Sequence, residues 1–176
     1  MSCYTREEIE EVMKAKGYKY FTGGDYDVNI IGIRNSETKN RVTNAFDDCI
    51  TLSYKVEGEW QFHCFKCTTD PGTHWVENVM NKDGVAILKP GQYRGSHKLR
   101  LHAGKYLALG QQKPVNIHRA TGRAGGKSTR VDRWSAGCQV IGDNDDWHEF
   151  LDVCQTAREI WGNSFTYTLL ESKDIA

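Results

Sequence analysis

Two residues in this chain have the types and placement for nucleophilic acyl transfer. His118 ends a short apolar run, Val115-Asn116-Ile117. Cys138 opens another, after Trp134-Ser135-Ala136-Gly137 and before Gln139-Val140-Ile141. A histidine at one strand end and a cysteine at the start of the next can face each other across the loop between them. That is the minimum equipment for a thiol nucleophile and its base. The small residues Ser135, Ala136 and Gly137 permit close backbone approach. Amide N–H groups around this step, from Ala136, Gly137 and Cys138, are candidates for an oxyanion hole. Ser135 is a candidate for ordering the loop around the nucleophile. Tyr93 and His102 are candidates for a pocket wall.

The surroundings are basic. From Arg94 to Arg133 there are ten Lys and Arg residues (Arg94, Lys98, Arg100, Lys105, Lys113, Arg119, Arg123, Lys127, Arg130 and Arg133) against one acid, Asp132. The whole chain balances at 23 of each sign, so no global field argues for nucleic acid or a membrane surface. The local excess favours an anionic ligand, a carboxylate or phosphate. It is also expected to lower the thiol pKa of Cys138.

Two patterns invite other chemistry. Gly122 to Thr129, GRAGGKST, suggests a phosphate loop, but Thr121 holds the place where that motif needs its first glycine. Its glycines and cations read instead as a loop covering the thiol. Cys64-x-x-Cys67, near His63 and His74, is half of a zinc spacing without a second pair. On an unbroken strand the two thiols point to opposite faces. No metal or cofactor is called for.

The elements that must position His118 and Cys138 are mostly strands. Thr5 and Glu8 form a capping box for a helix over Thr5 to Lys16, stopped by Gly17. Val28 to Ile33 reads as a buried strand. Ile50, Leu52, Tyr54 and Val56 alternate with polar residues. Glu57-Gly58-Glu59 then turns the chain into a return strand carrying Trp60, Phe62 and Cys64. Asp70-Pro71-Gly72 is a turn. A further apolar piece covers Val85 to Leu88. Short strands are expected at Lys98–Leu101, Tyr106–Leu109 and Val115–His118. A second helix opens at Asp145-Asp146 with Trp147, Phe150, Leu151, Cys154 and Trp161 on one face, and Phe165 to Leu170 is a last strand. Turn signals at short intervals argue for a sandwich or barrel rather than alternating α/β units. The fold class is mainly β with flanking helices (α+β). The chain is one domain, 1–176, with an N-terminal helical extension over 1–24 and a core over 25–176.

The N-terminus is too polar for a signal peptide, and no apolar run is long enough to span a membrane. Synthesis in a cytoplasm is expected. The six cysteines are spread without a dense framework and are expected as mostly free thiols.

His118, then Ser135-Ala136-Gly137-Cys138 and apolar residues, resembles the signature of the L,D-transpeptidase catalytic domain: a histidine, a loop, then Ser-His-Gly-Cys, an aliphatic residue and Arg. Thr68-Thr69-Asp70-Pro71-Gly72, Lys89-Pro90-Gly91-Gln92-Tyr93, Ile117-His118-Arg119-Ala120 and Trp134 to Val140 look like a phage-encoded branch of that family. The likeness spans Val28 to Val140. It implies a β-sandwich or barrel core of that family. The implied activity is a Cys138 thioester on peptidoglycan stem peptides, with His118 as general base, resolved by water or by an amine. Hydrolysis, as in a phage lysis enzyme reaching the wall after release, is the favoured form. The alternatives are a cross-linking transpeptidase and a silent wall-binding or virion module. Ala136 stands where the family has histidine, and Gln139-Val140 where its aliphatic-Arg step falls. Arg119, Arg130 or Arg133 is then expected to hold the substrate carboxylate.

Overall fold

The computed structural model describes residues 4–38, 42–78, 87–111 and 115–175. Eight strands close into a barrel, and three helices accompany it. Of the apolar piece expected over Val85 to Leu88, Val85 and Ala86 lie outside the described residues.

Helix α1, Arg6–Ala15, begins at the expected capping box: Thr5 Oγ1 accepts the Glu8 amide at 3.2 Å, and Glu8 Oε2 accepts the Thr5 amide at 2.8 Å. Gly17, at φ +71°, ends it in the left-handed conformation that glycine adopts without penalty. Although expected as an extension, α1 packs on the barrel. Its Ile9 and Met13 bury against Ile31, Ile33, Cys49 and Leu170, a second core on the outer face of the sheet.

Strand β1, Asn29–Arg34, pairs antiparallel with β2, Asp48–Val56, and β2 pairs with β3, Glu59–Thr68. The β2–β3 hairpin turns through Glu57 and Gly58, both at positive φ (51° and 80°), the combination a two-residue hairpin turn needs to match strand twist. Period-2 alternation sorts the two strands. Ile50, Leu52, Tyr54, Phe65 and Cys67 face the main core, whereas Trp60, Phe62 and Cys64 face the α1 side. Cys64 and Cys67 therefore sit on opposite faces.

After a short helix α2, Thr73–Glu77, come β4, Gly91–His102; β5, Tyr106–Gly110; β6, Ile117–Arg119; and β7, Gln139–Ile141. Helix α3, Asn144–Trp161, starts at Asp143, whose carboxylate accepts the amides of Asp145 and Asp146. Strand β8, Phe165–Glu171, lies between β4 and β1. The order around the barrel is β1-β2-β3-β7-β6-β5-β4-β8. Two pairings are parallel, β1 with β8 and β6 with β7. Trp147 and Phe150 of α3 join Leu52, Phe65, Ile117 and Tyr167 in the main core. Among the described residues no helix is long and apolar enough to cross a membrane.

Candidate functional site

The two candidate residues flank the parallel β6–β7 pair. Parallel neighbours need a long crossover connection, and the loop over 120–138 supplies it. Ile117 pairs with Gln139 and His118 with Val140; the Gln139 amide donates to Asn116 O at 2.9 Å. Side chains alternate faces. Ile117 and Ile141 point into the main core, so His118 and Val140 point the other way. Cys138 stands one residue before the ladder, in the bend that leads into β7, and its thiol accepts a backbone hydrogen bond from Asn116, two residues before His118.

His118 is buried and its ring is fixed. Nδ1 lies 2.8 Å from the carbonyl of Arg119. A carbonyl only accepts, so Nδ1 carries the proton and Nε2 presents its lone pair. Burial is the main cause that lowers its pKa to about 4, with the neighbouring His102 adding to the effect. The imidazole is thus neutral near pH 7. His102 stacks on it, ring centroids 4.5 Å apart, and Tyr106 stands beside His102 at 5.5 Å. Burial raises the Tyr106 hydroxyl, and Cys138 is among the groups that push it further up, which puts the thiol within electrostatic reach of this ring.

Cys138 departs from expectation. Burial raises its thiol above the ordinary value, with a backbone hydrogen bond from Asn116 pulling the other way. Two of the region's cations are engaged elsewhere. Lys127 pairs with Asp143 at 3.2 Å, and the Arg119 guanidinium lies over the Tyr106 ring at 4.0 Å. At rest Cys138 is therefore a neutral thiol and His118 a neutral imidazole.

Ser135 orders the turn before Cys138. It is buried; its hydroxyl donates to Cys138 O at 2.7 Å and accepts the Gly137 amide at 3.1 Å. That second bond turns the Gly137 N–H toward Ser135. Gly137 was expected as an oxyanion donor, and in this conformation its amide is occupied. Its φ of +125° suits glycine.

The Thr68–Gly72 stretch supports this turn from below. The Gly72 amide donates to Ser135 O at 2.9 Å, and a Cβ on Gly72 would fall 2.0 Å from Asp132 O, so only glycine allows the two segments to approach so closely. Asn44 Oδ1 accepts the amides of both Thr73 and Asp132. Behind the turn, Arg34 donates to Thr69 Oγ1 and Thr69 O, each at 2.8 Å, and pairs with Asp70 at 3.3 Å. Asp48 accepts the Thr69 amide and hydroxyl, both at 2.7 Å. This buried network anchors the segment that holds Ser135.

The remaining expected residues separate. Arg119 contributes its carbonyl to His118, while its guanidinium packs on Tyr106 and against Gly122, where a Cβ would fall 2.6 Å from the guanidinium carbon. Arg133 lines a hollow with Thr73, His74 and Glu77, and its carbonyl accepts the Trp75 indole N–H. Tyr93 donates to Lys89 O and lines a larger hollow beside Lys98 and Arg100. The Gly122–Thr129 loop is strapped to the start of α3, with Ser128 N donating to Gly142 O and Asn144 N to Gly126 O. Tyr106, Asn116 and Arg100 belong to the site's surroundings and carry no local sequence signal; only the β4–β5–β6 register brings them there.

Comparison with protein-family models, curated sequences and solved structures finds no significant match.

Proposed function

We propose that the chain is a cysteine-dependent acyl-transfer enzyme of the L,D-transpeptidase type, hydrolysing peptidoglycan stem peptides. The observation that carries this reading is the pinned imidazole. His118 Nδ1 is committed to Arg119 O, so Nε2 is the nitrogen whose lone pair can accept a proton. In the proposed reaction Cys138 Sγ attacks the carbonyl carbon of an L-centre in the stem peptide as its proton passes to His118 Nε2. The tetrahedral oxyanion collapses to a thioester. The C–N bond breaks, and His118 returns the proton to the departing D-amino acid nitrogen. Water, deprotonated by the same imidazole, releases the peptide acid and restores the thiol. The amides of Ala136 and Cys138 are the proposed oxyanion donors.

Several features of the fold agree with this assignment. A mainly β core is in keeping with it, and the Thr68–Gly72 turn braces the Ser135 turn. A catalytically silent wall-binding module is the second reading, favoured by the Gly137 amide being engaged by Ser135 Oγ. A cross-linking transpeptidase differs only in the acceptor.

Purified stem tetrapeptide and intact sacculi, incubated with the protein and with Cys138→Ala, distinguish these readings by mass spectrometry. Released D-amino acid or split peptide from the unmodified protein alone is expected. Equal product from the variant would remove Cys138 as nucleophile, and no product on any wall chemotype would leave the silent module.

A further inference from the structure

We propose that Arg100 grips a carboxylate of the acyl-donor peptide, in a groove running from Asn116 beside Cys138 to Tyr93 on β4. The proposal rests on the acyl-transfer reading of the His118–Cys138 site. Two adjoining hollows make the groove. The smaller, about 320 Å³, is lined by Arg100, His102, Ala108, Gly110 and Asn116 among others. The larger, about 900 Å³, includes Tyr93, Ser96, Lys98, Arg100, Gly110 and Gln111. Arg100 and Gly110 belong to both, so the guanidinium stands at the waist.

The inner end of the groove reaches the neighbours of the proposed reacting residues. Asn116 lines the smaller hollow and its backbone hydrogen-bonds the Cys138 thiol, while His102, also in its lining, stacks on His118. An acyl chain laid in the smaller hollow would extend past Arg100.

The charge of the groove selects the ligand. Lys89, Lys98 and Arg100 line the larger hollow, and no carboxylate lines either one among the described residues. Arg100 makes no ion pair among the described residues; its one hydrogen bond goes to the carbonyl of Gln111. That bond holds the side chain flat along the sheet over Gly110, where a Cβ would fall 1.9 Å from Arg100 Nε. The glycine is the clearance through which the guanidinium reaches the groove. The remaining N–H donors form the planar fork that matches a carboxylate in two parallel hydrogen bonds. The charge is felt at the site, since Arg100 contributes to the lowered pKa of both His97 and His102. Arg119 and Arg133 are placed on Tyr106 and in a separate hollow, so neither stands where Arg100 does.

The test compares a stem tetrapeptide carrying free carboxylates with the same peptide fully amidated. Binding is measured by calorimetry on Cys138→Ala, and turnover on the protein with active thiol, each with and without Arg100→Gln and Arg100→Lys. Folding of each variant is checked by its thermal transition. Binding of the free acid is expected to weaken about 10- to 100-fold with Arg100→Gln, with KM rising by more than kcat falls. Discrimination against the amide should vanish, and Arg100→Lys should keep part of it. A folded Arg100→Gln protein that still prefers the free acid by the original factor overturns the proposal. So does equal binding of both peptides by the Arg100 protein. Carboxylate-dependent binding through Arg100 without turnover would support the groove and defeat the enzymatic reading instead.

Discussion

The Tyr167 hydroxyl donates to Gln139 Oε1 at 2.7 Å with both side chains wholly buried inside the barrel. This contact explains the residue next to the candidate nucleophile. Gln139 stands where the family likeness leads one to expect an aliphatic residue, and a polar side chain there would be costly without partners. Here β8 supplies a donor and the Thr69 carbonyl lies 3.5 Å from Nε2. The bond ties the strand that begins at Cys138 to the opposite wall of the barrel. The space for Tyr167 exists because β1 has Gly32, where a Cβ would fall 2.0 Å from the tyrosine oxygen.

Breaking that bond from one side should be worse than removing it from both. Gln139→Leu leaves the Tyr167 hydroxyl buried without an acceptor and is expected to cost about 1–3 kcal/mol. Tyr167→Phe added to it should recover part of the loss, a non-additivity that urea unfolding of the two single variants and the double variant would measure. Additive losses would show that the two groups do not depend on each other.

Ser135 bridges the loop with two hydrogen bonds, so Ser135→Ala strips the Gly137 N–H of this acceptor and the Cys138 carbonyl of this donor. A stability loss of about 1–3 kcal/mol is expected from chemical denaturation. The Thr68–Gly72 turn, which grips Ser135 through its backbone carbonyl rather than its hydroxyl, should keep its amide protection in hydrogen exchange. Loss of protection at Gly72 would mean that the hydroxyl holds the whole turn.

The neutral resting pair has a pH signature. In the proposed reaction His118 acts as a base only when unprotonated. Since burial lowers its pKa to about 4, the acidic limb of kcat/KM should fall near pH 4 instead of near the ordinary histidine value of about 6.5. Cys138 is raised, so its iodoacetamide alkylation in the absence of substrate should keep climbing beyond the ordinary thiol range of about 8.5. An alkylation rate that levels off below pH 7 would show a thiolate–imidazolium pair at rest and overturn this picture.

Much of this architecture was legible locally. The Thr5–Glu8 box, Gly17, the alternation from Ile50 to Val56, the Glu57-Gly58 turn and the amphipathic α3 are written in neighbouring residues, because caps, turns and periodicity act over a few positions. The placement of His118 on one short strand and of Cys138 just before the next was legible for the same reason, each standing at the edge of an apolar run. Closure was not. The parallel pairing of β6 with β7 and of β1 with β8 depends on partners far apart in sequence, and nothing near Ile117 announces Gln139. The state of Cys138 was misread on the same ground. A count of nearby basic residues ignores that Arg119 folds onto Tyr106 and Lys127 onto Asp143, while burial of the thiol is a property of the closed barrel. Arg100 looked like one cation among ten until the β4–β5 register set it over Gly110.

Asp48 gives the fold a measurable dependence on pH. Its carboxylate accepts the Asn35 amide at 2.7 Å along with the two groups of Thr69, yet burial outweighs these bonds and raises its pKa to about 6 from 3.8. Nearby Asp70 adds to the rise. Arg34 lies between Thr69 and Asp70 and offsets the charge at Asp70. A folded-state pKa above the unfolded one means that the native state holds the proton more tightly. The Asp48 contribution is therefore fully present below about pH 4 and is lost as pH rises through about 6. The difference of about 2 units corresponds to roughly 3 kcal/mol for this one group. Asp48→Asn removes the titration, so the Asp48 part of the decline in unfolding free energy between pH 4 and 7 should disappear in urea melts of the variant. The variant should also be less stable at pH 4, because an amide nitrogen facing the Asn35 or Thr69 N–H cannot accept it. A variant with the same pH slope as the parent would assign the dependence to Asp70 instead, the other raised carboxyl of the network.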